Sequence, residues 1–291
     1  MPAIVADGKA LAAEIRGRVA ERIRARPSAP APPGLAVVLV GDNAASQTYV
    51  AAKAKAAAEV GINAQDIRYP ADVSASALED KIDSLNADTS VHGILVQLPL
   101  PKHIDPDAIN ERIDPAKDVD GFHPVSLGRL VLGRPLVEAC TPAGVVALLE
   151  KYNVPIEGAH VVIIGRSSIV GKPLALMLAA KAPGRNATVT ICHSRTKNLA
   201  SVVQSGDIVV AAAGAPELVT ADMVSAGAVV VDVGTNRVTD ASRKRGYRLV
   251  GDVQFEEVAQ KASLITPVPG GIGPLTVAML LKNTVAAWER L

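Results

Sequence analysis

A phenol and an ammonium stand four residues apart near the start of an alanine-rich stretch of the sequence. Tyr49 and Lys53 lie in the run SQTYVAAK (46–53), and residues at this spacing share one face of a helix. A phenol beside an ammonium could handle protons for a substrate. A lysine on a helix is also most often exposed to solvent, and the spacing leaves that alternative open.

Two further polar residues stand where ordered chain gives way to irregular chain. Gln97 ends the apolar run GILVQ (93–97), and Asp120 lies in KDVDGFHP (117–124). A buried glutamine requires hydrogen-bond partners, which a neighbouring lysine or a polar substrate could supply. One of the two carboxylates of the second segment, Asp118 or Asp120, could accept a hydrogen bond from an amino-substituted heterocycle, or both could only cap turns. Gln97 could instead serve only the backbone of the adjoining loop.

A glycine-bounded turn at residues 165–171 has the chemistry of an anion site. The four β-branched residues 161–164 are typical of a strand buried in a parallel sheet. Gly171 and Pro173 then open a helix-forming run. Backbone N–H groups and the helix dipole would point at the same place, which favours a bound phosphate. Ser167 occupies the place of the second glycine of a dinucleotide fingerprint, so an ordinary strand-to-helix turn remains an alternative.

The residues after the next predicted strand bear on which dinucleotide would bind. In a doubly wound sheet an acid at this place binds the 2′-hydroxyl of NAD, whereas an arginine accommodates the 2′-phosphate of NADP. The segment CHSRT (192–196) contains Arg195 and no acid, and Arg166 adds a second guanidinium in the preceding turn. This pattern favours NADP, although both arginines could be solvated surface residues. Gly214 and Gly234 follow the third and fourth predicted strands counted from 161–164. At such places a glycine lets the backbone approach a cofactor closely or simply forms a turn.

The elements that would position these residues alternate between strand and helix. Helices are predicted at 9–26, 44–60, 75–85 and 142–152, and Thr141 is predicted to cap the last of them. Strands are predicted at 35–40, 63–68 and 92–97, so that a strand follows each of the first three helices. Further strands are predicted at 161–164, 187–191, 208–212 and 228–231, with shorter ones near 248–250 and 263–265. Residues 98–139 carry six prolines and five aspartates and are predicted to be irregular. Such alternation predicts parallel sheets with right-handed crossovers.

Composition narrows the classes of function. The 291 residues are enough for two domains, and the formal net charge of +1 gives no support for a nucleic-acid or membrane partner. Cys140 and Cys192 stand far apart without metal-ligand spacing, so we expect a reduced, cytoplasmic protein with no metal site. We also expect no signal peptide and no membrane span, because the sequence has neither a basic-then-apolar start nor a long uninterrupted apolar run.

Seven motifs in this order resemble those of the bifunctional methylenetetrahydrofolate dehydrogenase/methenyltetrahydrofolate cyclohydrolase family. They are SQTYVAAK (46–53), GILVQLPLP (93–101), KDVDGFHP (117–124), CTPAG (140–144), GRSSIVGKP (165–173), CHSRT (192–196) and PVPGGIGPLT (267–276). The resemblance runs from the first helix to the last. The sequence departs from the family pattern at Ser126, where Asn is usual, at Ala139, where Pro is common, and at Leu275, where Met is frequent.

The resemblance implies an α/β protein of two domains, the second a Rossmann-like doubly wound parallel sheet, with an interdomain cleft that binds folate. We expect a folate-binding catalytic domain at 1–139 plus 272–291 and an NADP-binding domain at 140–271. The implied activity is NADP-dependent oxidation of 5,10-methylenetetrahydrofolate to the 5,10-methenyl compound and hydrolysis of that product to 10-formyltetrahydrofolate. This activity belongs to one-carbon metabolism and purine biosynthesis. The resemblance also implies a homodimer formed through the NADP domains.

The resemblance further implies roles for single residues. Lys53 would be the central catalytic residue, Tyr49 would stack along the substrate, Gln97 would orient Lys53 and Asp120 would hold the pterin ring. The folate pocket would also include Leu98, Pro269, Gly270, Gly271 and Thr276. The expected cofactor-binding residues are Gly165, Arg166, Ser167, Ser168, Ile169, His193, Ser194, Arg195, Gly214, Gly234 and Thr235.

Three other functions share part of this pattern. A dehydrogenase with only weak hydrolysis would have no need of both Lys53 and Gln97. An NADP-sensing module would have no need of the whole set of Tyr49, Lys53, Gln97 and Asp120. An amino-acid dehydrogenase with the same two-domain plan would lack the KDVDG and PVPGG segments.

Overall fold

A computed structural model describes residues 2–29, 31–243 and 246–291. Its strands are β1 (Ile4–Val5), β2 (Gly34–Val40), β3 (Asn63–Tyr69), β4 (Gly93–Val96), β5 (His160–Ile164), β6 (Thr188–Cys192), β7 (Ile208–Ala211), β8 (Val229–Asp232), β9 (Asn236–Thr239), β10 (Tyr247–Val250) and β11 (Leu264–Ile265). Its α-helices are α1 (Gly8–Arg24), α2 (Ala44–Val60), α3 (Ala75–Ala87), α4 (Pro106–Arg112), α5 (Pro124–Val131), α6 (Cys140–Lys151), α7 (Gly171–Ala179), α8 (Leu199–Gln204), α9 (Phe255–Ala259) and α10 (Ile272–Trp288).

The chain divides into two compact units, named here by their sheets. The six-strand unit comprises the chain up to Ala12 together with Thr141–Thr276, and the three-strand unit comprises Ala13–Cys140 together with Val277–Leu291. The N-terminal residues differ from the predicted domain bounds, which placed them in the other unit. The reason is that β1 pairs in parallel with β11 and so adds a strand to the six-stranded sheet.

In the three-strand unit, β2 is the central strand of a parallel sheet with the order β3-β2-β4. Each of its seven residues is buried, which explains why this strand is apolar throughout instead of alternating. Helix α3 contributes Leu78, Ile82 and Leu85 to the core beside the sheet, at the spacing expected of one helix face. Because β2 and β4 are parallel neighbours, their carboxyl ends lie at the same edge of the sheet. Helix α2 begins after β2 and Gln97 follows β4, so both lie at this edge.

The segment 98–139 is less irregular than predicted, because it contains α4 and α5. Pro106 and Pro124 each lie in the first turn of one of these helices, where a proline loses no hydrogen bond. The side chains of Asp105 and His123 cap the two helices by accepting backbone N–H bonds. These two prolines begin helices in a segment that was predicted to be irregular.

The six-strand unit has an all-parallel sheet with the order β1-β11-β8-β7-β5-β6. From β5 the chain first adds β6 on one side and then β7 on the other, so the direction of winding reverses beside β5. In such sheets the ligand lies outside the carboxyl ends of the strands at this reversal. The predicted class, two α/β units of which one is Rossmann-like, is confirmed.

The other elements that were not predicted are shorter than α4 and α5. Strands β1 and β9 and helices α8 and α9 have two to six residues each, too few for a hydrophobic period to be recognised. Thr141 was predicted to cap a helix, but it lies inside α6, which begins at Cys140. Within the described ranges, no helix is long and apolar enough to cross a membrane. Both cysteines are buried and free.

Candidate functional site

Helix α2 carries Lys53 into the interior of the three-strand unit. The lysine is only 5 % exposed, and its Nζ donates a hydrogen bond of 3.0 Å to Oε1 of Gln97. The same nitrogen lies 4.8 Å from the centroid of the Tyr49 ring, because residues four apart share a helix face. The alternative of a solvent-exposed Lys53 is therefore excluded.

The amide of Gln97 is oriented by the loop that follows β4. Its Nε2 donates a hydrogen bond of 2.8 Å to the carbonyl oxygen of Leu98. Since the NH₂ group is held there, the amide oxygen is the atom that faces Lys53. Gln97 thus contacts the lysine, one of its two predicted kinds of partner, and also serves the loop backbone, which was its alternative role.

Burial shifts the protonation of Lys53 and Asp120 in opposite directions. Burial lowers the pKa of Lys53 from its ordinary value, although the nearby Asp120 and Cys140 oppose this shift. Burial raises the pKa of Asp120 to about 6, opposed by the charge of Lys53 and reinforced by that of Asp118. The unit therefore holds a lysine that releases its proton more readily than in water beside a carboxyl group that keeps its proton more readily.

The loop that carries Asp120 is organised by the buried carboxylate of Asp118. Oδ1 of Asp118 accepts the N–H of Gly121 at 2.9 Å, and Oδ2 accepts the N–H of His123 at 3.0 Å. The hydroxyl of Ser126, one of the departures from the family pattern, donates to Oδ2 at 2.6 Å. Ser126 therefore supports the Asp120 loop through Asp118.

Two side chains beside this loop were not predicted as site residues. Asn283 of α10 donates to the carbonyl oxygens of Val119 and Glu138 at 2.9 Å each. The thiol of Cys140 donates to the carbonyl oxygen of Val119 at 3.3 Å, and burial raises the pKa of Cys140 well above its ordinary value. The sequence signal for Cys140 was its place in the CTPAG motif, whereas no spacing rule points to Asn283.

The turn between β5 and α7 is built by close backbone contacts that only glycine permits. A Cβ atom on Gly165 would lie 2.1 Å from the carbonyl oxygen of Ala212, and one on Gly171 would lie 2.1 Å from that of Gly165. Gly165 also has a φ of +127°, a conformation that favours glycine. The hydroxyl of Ser167 accepts the N–H of Val170 at 3.1 Å. Ser167 therefore stabilises the turn at the place where a standard fingerprint has glycine.

A cavity of about 540 Å³ opens at the carboxyl edge of the sheet beside β5, within the size range of small-molecule sites. Among its lining residues are five predicted cofactor residues, Gly165, Arg166, Ser167, His193 and Ser194. Ala212 and Ala213, which follow β7, form part of the wall. The loops after β5, β6 and β7 therefore enclose one space, as the switch-point rule requires.

The other predicted cofactor residues lie outside that lining. They are Ser168, Ile169, Arg195, Gly214, Gly234 and Thr235. Arg195 is on the loop after β6, where its N–H donates to Nδ1 of His193 at 3.1 Å. Gly234 is buried, and a Cβ atom there would lie 2.2 Å from Oδ1 of Asp252. The space on the Cβ side of Gly234 is thus filled by a protein carboxylate, and the role of Gly234 in cofactor binding stays a prediction.

The predicted folate residues near the C-terminus belong to the six-strand unit. Residues 269–271 lie between β11 and α10, and the N–H of Gly271 donates to the carbonyl oxygen of Pro267 at 2.9 Å. The hydroxyl oxygens of Thr276 and Thr141 are 3.0 Å apart. The predicted set of Tyr49, Lys53, Gln97, Leu98 and Asp120 belongs to the three-strand unit.

Comparison with known proteins matches the whole chain to one family. Models of the tetrahydrofolate dehydrogenase/cyclohydrolase catalytic domain and NAD(P)-binding domain match residues 6–120 and 139–291. The chain is 52 % identical to the bifunctional protein FolD of Chlorobium chlorochromatii, covering 99 % of each chain. It is 53 % identical to the bifunctional protein FolD of Moorella thermoacetica, covering 100 % of each chain.

Solved structures give the same match. The bifunctional enzyme FolD of Campylobacter jejuni, a methylenetetrahydrofolate dehydrogenase/cyclohydrolase, has a TM-score of 0.91 at 49 % identity and 98 % coverage of each chain. The Trypanosoma brucei enzyme, solved with NADP cofactor and inhibitor, has a TM-score of 0.94 at 43 % identity, covering 100 % of this chain and 98 % of that chain.

Proposed function

Since the chain belongs to the tetrahydrofolate dehydrogenase/cyclohydrolase family, we propose that it oxidises 5,10-methylenetetrahydrofolate with NADP⁺ and hydrolyses the resulting 5,10-methenyl cation to 10-formyltetrahydrofolate. The bifunctional relatives match it from end to end. The observation that carries the proposal within the structure is the buried pair of Lys53 and Gln97. A buried lysine of lowered pKa is expected where protons are transferred, and a cofactor-binding module alone would not need one.

The six-strand unit fits a dinucleotide with a 2′-phosphate. Gly165 and Gly171 permit the close backbone contacts that shape the turn at the cavity, and the dipole of α7, which begins at Gly171, favours a pyrophosphate at its N-terminus. The loop after β6 contains the exposed Arg195 and no acid, which suits a 2′-phosphate. Arg166 lines the cavity as a second guanidinium. When bound, NADP⁺ supplies the oxidation by accepting a hydride from the one-carbon bridge.

Lys53 in its neutral form suits the oxidation because that step creates a positive charge on the substrate. A second cation beside the 5,10-methenyl group would raise the energy of the product by like-charge repulsion. Burial lowers the pKa of Lys53 and so favours the uncharged amine. We assign Tyr49, whose ring lies against the lysine, to stacking along the substrate.

Lys53 also suits the hydrolysis, in which water adds to the methenyl carbon. The amine takes a proton from the attacking water, and Gln97 fixes the position of its nitrogen. The bond between the carbon and N5 then breaks, N5 receives a proton from the lysine, and the carbinol hydroxyl loses its proton as the formyl group forms. One proton is released to solvent in the net reaction. A single side chain therefore takes and returns the proton.

Asp120 is assigned to the pterin ring. Its carboxyl group is held on a loop fixed by Asp118, and a carboxyl of raised pKa can accept or donate a hydrogen bond. The roles of Leu98, Pro269, Gly270, Gly271 and Thr276 as folate contacts rest on the family pattern alone.

The homodimer is proposed to form through the six-strand units. Strand β6 pairs with β5 and forms one end of the described six-stranded sheet. Ile191 on this strand is 38 % exposed, and an uncovered edge strand with an apolar side chain favours pairing with another chain. A solution mass of two chains in analytical ultracentrifugation supports the dimer, and a mass of one chain contradicts it. We further propose a cytoplasmic location, which agrees with two buried free thiols.

A steady-state assay of the purified protein tests the proposed activity. The substrate is 5,10-methylenetetrahydrofolate with either NADP⁺ or NAD⁺, and the absorbances of reduced cofactor and of the methenyl compound are followed together. We expect rapid NADPH formation and little accumulation of the methenyl compound, with a higher KM for NAD⁺. Absence of NADPH formation would overturn the dehydrogenase, and methenyl compound that decays no faster than in buffer would overturn the cyclohydrolase.

A further inference from the structure

Two buried carboxylates lie at the carboxyl edge of the six-stranded sheet, and neither has a part in the chemistry described above. Asp232 is the last residue of β8, and Asp252 lies two residues beyond the end of β10. Their exposed fractions are 3 % and 0 %. Carboxylates are rarely buried without a set of donors around them, because removal from water is costly. The hydrogen-bond donors around Asp232 and Asp252 show which loops these two carboxylates hold in place.

Asp252 joins the loops that follow two neighbouring strands. Its Oδ2 accepts the N–H groups of Ala213 and Gly214 at 2.6 and 2.8 Å, in the loop after β7. Its Oδ1 accepts from the side-chain amide of Asn236, at the start of β9, at 2.8 Å. These contacts span 39, 38 and 16 positions of sequence. One side chain therefore fixes two loops that the chain itself does not connect closely.

Asp232 holds Asp252 in place. Its Oδ1 accepts the N–H groups of Gly234 and Asp252, and its Oδ2 accepts that of Val253, each at 2.9 Å. A Cβ atom on Gly251 would lie 1.7 Å from Oδ2 of Asp232. Glycine beside each carboxylate thus leaves the space that the carboxylate occupies.

The two loops joined by Asp252 follow β7 and β8, which lie on the other side of β5 from β6. The adenosine half of a dinucleotide lies over the strand pair ending in β6, so the nicotinamide half lies toward β7 and β8. Ala213 lines the cavity together with Gly165. The carboxylate of Asp252 therefore sets the wall of the cavity on the nicotinamide side.

We propose that Asp252, held by Asp232, is a positioning residue for the dehydrogenase reaction, which fixes the loops after β7 and β8 in the shape that receives the nicotinamide half of NADP. This inference rests on the proposed function. Neither aspartate contacts the reacting atoms in this account, so the effect passes through Ala213, Gly214 and Asn236.

Asp252→Asn tests the inference because an amide NH₂ cannot accept the N–H bonds that a carboxylate oxygen accepts. The control is Asp207→Asn, an exposed aspartate one residue before β7, whose carboxylate accepts the N–H of His160 at the opposite edge of the sheet. For Asp252→Asn we expect the Kd for NADP⁺ by calorimetry and the KM for NADP⁺ to rise by about fivefold, the equivalent of one net hydrogen bond. Hydrolysis of supplied methenyltetrahydrofolate, which needs no cofactor, should remain within about twofold.

The control should leave both activities and the Kd near wild type. An unchanged Kd and KM in Asp252→Asn would overturn the inference, as would an equal loss of both activities, which indicates a purely structural role. If this variant does not fold, Asn236→Ala decides, because it removes one partner of Asp252: a rise in the NADP⁺ Kd supports positioning and an unchanged Kd refutes it. If the wild-type protein itself fails to oxidise methylenetetrahydrofolate, the proposed function fails instead.

Discussion

Replacement of Lys53 by methionine should lower catalysis far more than it lowers the stability of the fold. Methionine has a similar length and no charge, so it can occupy the same buried space. The change removes the hydrogen bond to Gln97, and leaving the amide oxygen unsatisfied costs about 1–3 kcal/mol. Loss of the lysine charge also removes the interaction that lowers the pKa of Asp120, so that pKa rises above about 6. Asp120 is then more often uncharged, and burial of an uncharged carboxyl without the Lys53 ammonium beside it costs less stability than burial of a carboxylate.

The catalytic loss should be much larger than the loss of stability. A positioned proton acceptor contributes about 10²- to 10⁴-fold to the rate, which corresponds to about 3 to 5 kcal/mol of activation free energy. The assay is the decay of methenyltetrahydrofolate absorbance, corrected for hydrolysis in buffer. Urea denaturation of the same samples reports the free energy of unfolding. The expected result is a rate at least about a hundredfold lower in a protein that remains folded.

Lys55→Met is the matched control, because Lys55 is on the same helix and is exposed. It should hydrolyse the methenyl compound at the wild-type rate. Hydrolysis by Lys53→Met within about threefold of wild type, in folded protein, would refute the assignment of Lys53 as the proton-transferring group.

Three further predictions concern the six-strand unit. Gly165→Ala places a Cβ atom 2.1 Å from the carbonyl oxygen of Ala212, so the free energy of unfolding in urea should fall by about 1–3 kcal/mol; an unchanged value contradicts the packing argument. Arg195→Ala should raise the KM for NADP⁺ roughly tenfold, the loss of one charged hydrogen bond, and leave that for NAD⁺ unchanged; an equal rise for both cofactors counts against a 2′-phosphate contact. Burial raises the pKa of Asp232 from 3.8 to about 6, so the folded protein binds this proton more tightly than the unfolded chain does. Its contribution to stability is therefore full below 3.8 and lost as the pH rises through about 6, a change of about 3 kcal/mol. Urea denaturation of wild type and Asp232→Asn across this range should show a decline that is larger in wild type by this amount, because Asp120, whose pKa burial also raises to about 6, titrates in both proteins; parallel curves would exclude it.

The regular elements could be predicted because long segments carry a clear hydrophobic period. Helix α2 begins and ends at the predicted residues 44 and 60, and the central strand β2 is buried throughout. The prolines of residues 98–139 misled the prediction, since Pro106 and Pro124 begin helices. Proline composition does not reveal whether a proline interrupts a helix or starts one.

The candidate site was predictable where its residues occupy motifs and not where distant side chains meet. Tyr49 and Lys53 share a helix face, so their contact follows from spacing. The hydrogen bond that Lys53 donates to Gln97 spans 44 positions; the chemistry of a buried glutamine indicated a partner of this kind, and only the family pattern indicated Lys53 itself. The contact of Asp252 with Ala213 has no periodic signal at all. Gly234 shows that a glycine in a motif can also serve a contact within the protein, because that carboxylate occupies the space where a Cβ atom would lie.

An isotope-transfer experiment tests most directly whether this chain oxidises the one-carbon bridge and then hydrates the same carbon. The purified protein is given NADP⁺ and methylenetetrahydrofolate that carries deuterium on both bridge positions, in water labelled with heavy oxygen. The proposed reaction sequence predicts NADPH with one deuterium and 10-formyltetrahydrofolate whose formyl carbon keeps the other deuterium and carries the labelled oxygen. NADPH without deuterium, or a formyl oxygen without label, would contradict it.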